Sequence, residues 1–219
     1  AAPIVLLAQN EVGYLNLMKL NSCLYIDKAG ALPQVTLEEL ERFSAGVICL
    51  TGGSDGPLGR MILAGHFPKA RTLVQRLAAA YPDRLYVELQ RHPGEGGALP
   101  EGEAASESAM VDLAYDMGLP LVATNDVYFP KTEMYLAHDA MICISEGAYV
   151  DQSQPRRRLT AQHYFKTEAE MATLFADLPE ALDNTVEIAR RCAFAAYKRK
   201  PILPKFADDE VQELRRQAN

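Results

Sequence analysis

The sequence predicts an α/β fold built on a parallel sheet and followed by a helical C-terminal segment. Three observations lead there. Four short apolar runs of strand length recur within residues 1–145. Stretches with helical spacing of apolar residues separate them. After Tyr149 the strand-like runs stop and only helical patterns follow. Continuous apolar runs alternating with amphipathic helices describe strands covered on both faces, which is the habit of parallel sheets.

Residues 4–8 form the first run. Residues 11–24 follow, with Val12, Leu15, Leu17, Met18, Leu20 and Leu24 at helical spacing. Thr36-Leu37-Glu38-Glu39 has the pattern of a capping box, opening a short helix to Phe43. Residues 46–50 make the second strand, which runs into Thr51-Gly52-Gly53-Ser54-Asp55-Gly56, a turn whose glycines permit positive φ. Helices are predicted over 57–64 and 68–81, and the third strand over 85–90. A loop rich in glycine and proline spans 93–102. A helix over 106–117 ends at Gly118, which suits a C′ position. The fourth strand covers 121–124, and a helix covers 131–144.

Either a (β/α) barrel or an open doubly wound sheet accommodates this order. Four strands are too few for a barrel, which takes about eight. If the sheet belongs to a barrel, strands are missing on the N-terminal side, and the sheet is expected to have open edges prone to pairing. Beyond Tyr149, residues 151–158 are polar and end in Arg156-Arg157-Arg158, read as a solvated loop. Helical patterns follow at 160–164, 167–175 and 178–192. Residues 198–204 are basic and broken by proline. The expected organisation is 1–150 for the sheet-bearing part, 151–197 for its helical end, and 198–219 for a linker.

The chain has 219 residues and a net charge of -7. It lacks the basic footprint of an autonomous nucleic-acid binder. Cys23, Cys49, Cys143 and Cys192 form no CxxC pair, so they read as reduced, largely buried apolar groups, as in a cytoplasmic protein. The start has no basic n-region and no initiator Met, and enters an apolar run at once, which predicts a piece cut from a longer protein. No stretch approaches the roughly 20 apolar residues of a membrane span, and no membrane partner is expected.

Working residues in parallel α/β folds gather at the C-terminal ends of strands. That rule selects the turn at 51–55, the segment Glu88-Leu89-Gln90-Arg91-His92, and Ala123-Thr124-Asn125-Asp126-Val127-Tyr128. His92 and Asp126 stand out, because an imidazole and a carboxylate on neighbouring strand ends can share a divalent metal. Two ligands fall short of a tight zinc site, and the plainer alternative is a loop histidine and a turn-capping aspartate. Glu88 shares a strand face with Gln90 and reads as structural. His66, His138 and His163 are read as structural too. No P-loop, GxSxG elbow or HExxH pattern is present, and no catalytic residue is assigned.

Several phrases carry a family resemblance. They are Val5-Leu6-Leu7-Ala8-Gln9-Asn10 with Gly13-Tyr14-Leu15-Asn16-Leu17, then Leu50-Thr51-Gly52-Gly53, then residues 120–127. The longest is Leu174-Phe175-Ala176-Asp177-Leu178-Pro179-Glu180-Ala181-Leu182-Asp183-Asn184-Thr185, continued by Ile188-Ala189-Arg190-Arg191-Cys192. On these the chain resembles the alpha subunit of bacterial DNA polymerase III over nearly its whole length. The resemblance implies part of a PHP domain, a distorted (β/α)7 barrel, leading into a polymerase palm.

That family opens its PHP domain with an HxH metal motif, absent here together with a second ligand motif, and the palm carboxylates are absent too. Matching residue by residue, His92 and Asp126 fall on metal positions. Gly53 stands where the family's turn has a cysteine, and Tyr128 where its DxH motif has a histidine. Glycine offers no ligand, and a neutral phenol binds metal poorly. The resemblance therefore implies a vestigial site and a fragment inactive by itself. The parent would be a DNA-directed DNA polymerase, a nucleotidyltransferase using Mg, DNA and dNTP. Its expected partners are the other domains of the same polymerase and the proofreading exonuclease subunit. The alternative is an active PHP phosphoesterase, a 3'-5' exonuclease using zinc or manganese. An unrelated small-molecule α/β enzyme is a third reading.

Overall fold

The computed structural model describes residues 2–26, 33–198, 200–201 and 203–218. Ala1, Arg199, Ile202 and Asn219, on which parts of the N-terminal and basic-tail readings fall, lie outside them. The strands are β1 (Val5–Ala8), β2 (Val47–Leu50), β3 (Leu85–Gln90) and β4 (Leu121–Thr124). Helices α1 (Glu11–Cys23) and α2 (Leu37–Arg42) separate β1 from β2, and α3 (Pro57–Leu63) and α4 (Phe67–Ala80) separate β2 from β3. Helix α5 (Glu101–Asp116) precedes β4, and α6 (Tyr135–Glu146), α7 (Glu168–Leu174), α8 (Pro179–Arg191) and α9 (Glu210–Ala218) follow it. No helix among the described residues is long and apolar enough to cross a membrane.

The sheet runs in sequence order, β1-β2-β3-β4. As expected, β2, β3 and β4 are parallel. The expectation fails for β1, which pairs antiparallel with β2, Ala8 opposite Val47. The reason lies in the connection. Helices α1 and α2 form an out-and-back pair, so β2 begins beside the point where β1 ends, and the Gln9 amide donates to the Gly46 carbonyl at 2.9 Å. Asn10 caps α1 by accepting from the Gly13 amide at 3.0 Å, and Asn16 Nδ2 donates to the Ala45 carbonyl at 2.9 Å. A side chain at Gly13 would collide with the Gly46 backbone. The missing Cβ thus lets the helix start sit against the entry to β2.

Strand alternation divides the core. Val47, Cys49, Val87, Leu89, Leu121 and Ala123 face Leu58, Val74, Leu77 and Met110 of the flanking helices. Ile48, Leu50, Tyr86 and Val122 face the other way, against Ile188 of α8. Each fully buried Leu or Val contributes about 2 kcal/mol relative to exposure. Phe175 and Ala181 are buried in the first cluster, so the α7–α8 region shares the core of the sheet.

Three local expectations change. Residues 160–164 are not helical: Tyr164 bridges Phe129, and the Phe165 amide donates to the Phe129 carbonyl at 3.1 Å. Backbone pairing to the segment after β4 replaces helical bonds there. Arg156 is not solvated; it forms a two-pronged pair with Asp139 of α6, both bonds 2.6 Å, with both side chains buried. Within the expected linker, residues 210–218 form α9, whose Val211 and Leu214 are exposed. Among the cysteines, Cys49 and Cys143 are buried and Cys23 and Cys192 half-buried, all free.

Candidate functional site

The strand face carrying Ile48, Tyr86 and Val122 turns polar at its C-terminal end, where period-two alternation puts Glu88, Gln90 and Thr124 side by side. Glu88 is buried and fully engaged. One carboxylate oxygen accepts from the Gly52 amide at 2.8 Å; the other accepts from the Thr124 hydroxyl at 2.6 Å and from Gln90 Nε2 at 3.4 Å. Its own amide donates to Thr51 Oγ1 at 2.9 Å. Burial pushes the Glu88 pKa up, against the lowering effect of the Thr124 and Gly52 bonds. Glu88 thus ties three strand ends together, the structural role its position suggests.

One step further along the chain, Arg91 and His92 leave β3 in different directions. Arg91 reaches Glu107 of α5 with bonds of 2.9 and 2.7 Å, Asp177 with bonds of 2.6 and 2.8 Å, and the Leu174 carbonyl at 2.7 Å. Its guanidinium lies 4.7 Å from the Phe175 ring centroid.

His92 is only 1% exposed. Glu103 of α5 accepts from its backbone amide at 2.8 Å and meets Nδ1 at 2.7 Å. On the other side, Nε2 lies 3.1 Å from Asn125 Oδ1 and 3.3 Å from the Asp126 amide nitrogen. His163 stacks on the imidazole, centroids 3.8 Å apart and planes 8° from parallel, and its Nδ1 contacts the Asp126 carbonyl at 2.9 Å. Burial, and then His92, lower the His163 pKa. Lys166 closes the cluster, with Nζ 3.2 Å from Asn125 Oδ1 and bonded to the Gln162 carbonyl; burial lowers its pKa.

His92 and Asp126 therefore do come together, but through the backbone of Asp126, whose side chain is exposed. Tyr128 lies beside them, its ring edge-on to His163 at 5.7 Å, and its hydroxyl accepts from Arg157 Nη2 at 3.3 Å. Burial and the neighbouring Asp126 raise the Tyr128 pKa, so the phenol stays neutral. Gly53 stands at φ +60°, and a Cβ there would lie 2.5 Å from Gln90 Oε1. The Gln90 side chain fills the space a side chain at 53 would need.

These residues do not fit a resident metal. Both ring nitrogens of His92 are engaged by protein groups, and positions 53 and 128 offer no ligand. Among the described residues no group of three or more His, Cys, Asp or Glu side chains is placed to hold an ion. His163, Glu103 and Lys166 were not among the expected site residues. They come from α5 and from the loop before α7, and no local motif announces them.

A family model described as the PHP domain matches residues 1–92. The DNA polymerase III alpha subunit of Caulobacter vibrioides is 50% identical over 224 residues, covering 100% of this chain and 19% of that protein. Over its whole length the chain is similar to DNA polymerase III alpha subunits. The alpha subunit of Rickettsia prowazekii is 38% identical over 214 residues, covering 97% of this chain and 17% of that protein. The Pseudomonas fluorescens alpha subunit is also 38% identical, over 204 residues. The chain thus spans less than a fifth of the length of these alpha subunits. The four-stranded, mostly parallel sheet is consistent with part of the PHP barrel that the family resemblance implied.

Proposed function

We propose that this segment serves a replicative DNA polymerase as a structural PHP domain, its metal site vestigial. The observation that carries this is the engagement of His92. With Nδ1 held by Glu103, Nε2 is the nitrogen a metal would take, and Asn125 and the Asp126 amide stand against it. Coordination would require breaking bonds to buried groups, each costing about 1–3 kcal/mol if left unsatisfied. In this reading Gly53 and Tyr128 are lost ligand positions, and the stacked histidines brace the strand ends. The 50% identity to a protein named DNA polymerase III subunit alpha supports the parent activity, DNA-directed DNA synthesis from dNTP with Mg. A cytoplasmic setting, contact with the other polymerase domains and docking of a proofreading exonuclease subunit belong to this reading through the family resemblance alone.

The second reading, an active metal-dependent phosphoesterase, draws on the closeness of two stacked imidazoles to the Glu103 carboxylate. Elemental analysis of the full-length protein separates the two. The structural reading expects zinc and manganese well below one equivalent, with no metal-stimulated release of nucleotides from single-stranded DNA. A full equivalent that disappears in His92→Ala would overturn it.

A further inference from the structure

The chain is acidic as a whole, yet its charge is unevenly placed. Residues 188–207 hold six of the 22 lysines and arginines and none of the 29 aspartates and glutamates. The same stretch carries Phe194, Tyr197 and Phe206. Cations interleaved with aromatic rings suit a single strand of nucleic acid, because the cations follow its phosphates and the rings stack on its bases. At physiological salt, charges more than about 8 Å away are screened. The net charge of -7 therefore does not cancel a local basic strip.

The structure gives this strip a suitable form. Helix α8 ends at Arg191, and residues 192–198 run on without helix or strand. Arg191 turns inward and donates to the Tyr86 hydroxyl at 2.7 Å. Arg190, Lys198 and Lys200 are exposed, and among the described residues none of them pairs with a carboxylate. The rings are anchored. Phe194 is half-buried with its centroid 5.5 Å from that of Tyr14 in α1, and Tyr197 meets it at 6.2 Å with planes 85° apart. Even so, Tyr14 is 39% exposed and Tyr197 75% exposed. A ring held in place before binding gives up little freedom when a base stacks on it.

Other polyanions match this surface less well. An acidic protein would engage the cations and leave the ring faces without a counterpart. A duplex would offer phosphates, but its base faces are covered by their own stacking. Only a single strand presents phosphates and bare base faces together. We propose that the strip from Arg190 to Lys200, with Tyr14 beside it, binds single-stranded nucleic acid. Tyr197 stacks on a base, and Arg190, Lys198 and Lys200 contact the flanking phosphates. This goes beyond the structural PHP reading and does not depend on the state of the His92 site.

The test uses the full-length protein and an oligo(dT) probe substituted with 5-iododeoxyuridine, which crosslinks to stacked aromatic rings under near-ultraviolet light. Mass spectrometry should find the probe on Tyr197 or Tyr14. Crosslinks confined to residues outside this strip would overturn the proposal. Tyr197→Ala should weaken oligo(dT) binding by about tenfold, Tyr197→Phe should retain it, and blunt duplex binding should not change. Equal losses for the Ala and Phe variants, or for single strand and duplex, would rule out stacking. Lys198→Gln combined with Lys200→Gln should lower the slope of log affinity against log salt by about one unit; an unchanged slope would remove the phosphate contacts. Polyglutamate displacing the probe as well as unlabelled oligo(dT) does would reassign the surface to an acidic protein and overturn the inference.

Discussion

Arg91→Met should destabilise this domain more than any other single surface-reachable change at the strand ends. Arg91 holds β3, α5 and the α7–α8 junction together, with its side chain only 10% exposed. Met keeps much of the stem's packing over Phe175 but removes the charge. Glu107, 20% exposed, is then left with little water and no partner, which costs about 2 kcal/mol. The Leu174 carbonyl loses a charged donor, about 1 kcal/mol. Loss of the contact with the Phe175 ring contributes about 0.5–1 kcal/mol. Asp177 is 61% exposed and resolvates, adding well under 1 kcal/mol.

The sum is about 3–4 kcal/mol, a sizeable share of a typical domain's stability. Urea unfolding followed by far-UV circular dichroism measures it. Two companions sharpen the test. Asp177→Asn should cost less than about 1 kcal/mol, and Glu107→Gln clearly more. An Arg91→Met cost below about 1 kcal/mol, or equal costs for the two acidic variants, would refute a buried clamp centred on Glu107.

Three further outcomes follow from the site. Burial raises the Glu88 pKa, so the folded chain binds a proton at pH values where the unfolded chain does not. Its contribution to stability therefore rises as pH falls from neutral through the raised value, and levels off below the ordinary glutamate pKa. Glu88→Gln should flatten that rise in urea midpoints measured across this range; an unchanged slope would show that Glu88 is not its source. Arg91 acts in the opposite sense on Asp177, whose lowered pKa gives stability present above the ordinary aspartate value and lost as pH falls through the folded one. Gly53→Ala should cost about 1–2 kcal/mol from the left-handed backbone alone, while Gln90 swings aside. A thermal melt unchanged by that substitution would mean that the turn relaxes freely.

Much of the fold was legible along the chain because its signals are local. The runs 85–90 and 121–124 match β3 and β4 residue for residue. The Thr36 capping box forms as read, Thr36 Oγ1 accepting from the Glu39 amide and Glu39 from the Thr36 amide. The candidate site was legible only in part. Strand-end logic pointed to His92 and Asp126, the family resemblance added Tyr128, and alternation placed Glu88 beside Gln90. It could not supply Glu103 or His163, since stacking of two distant imidazoles leaves no spacing in the sequence. Arg156 was misjudged for a related reason: an arginine in a polar run looks solvated until a helix presents a buried aspartate to it.

By itself, the sequence determined where the four strands and most helices form, the polar turn at each strand end, and the family phrases that the 50% identity confirms. Hydrophobic period, caps and glycines act over a few residues and need no partner. Only the tertiary structure decided the direction of β1, the partners of His92 and the burial of the Arg156–Asp139 pair. Each depends on which distant surfaces meet, and that is settled by close approaches such as Gly13 on Gly46 and by the competition of buried polar groups for hydrogen bonds.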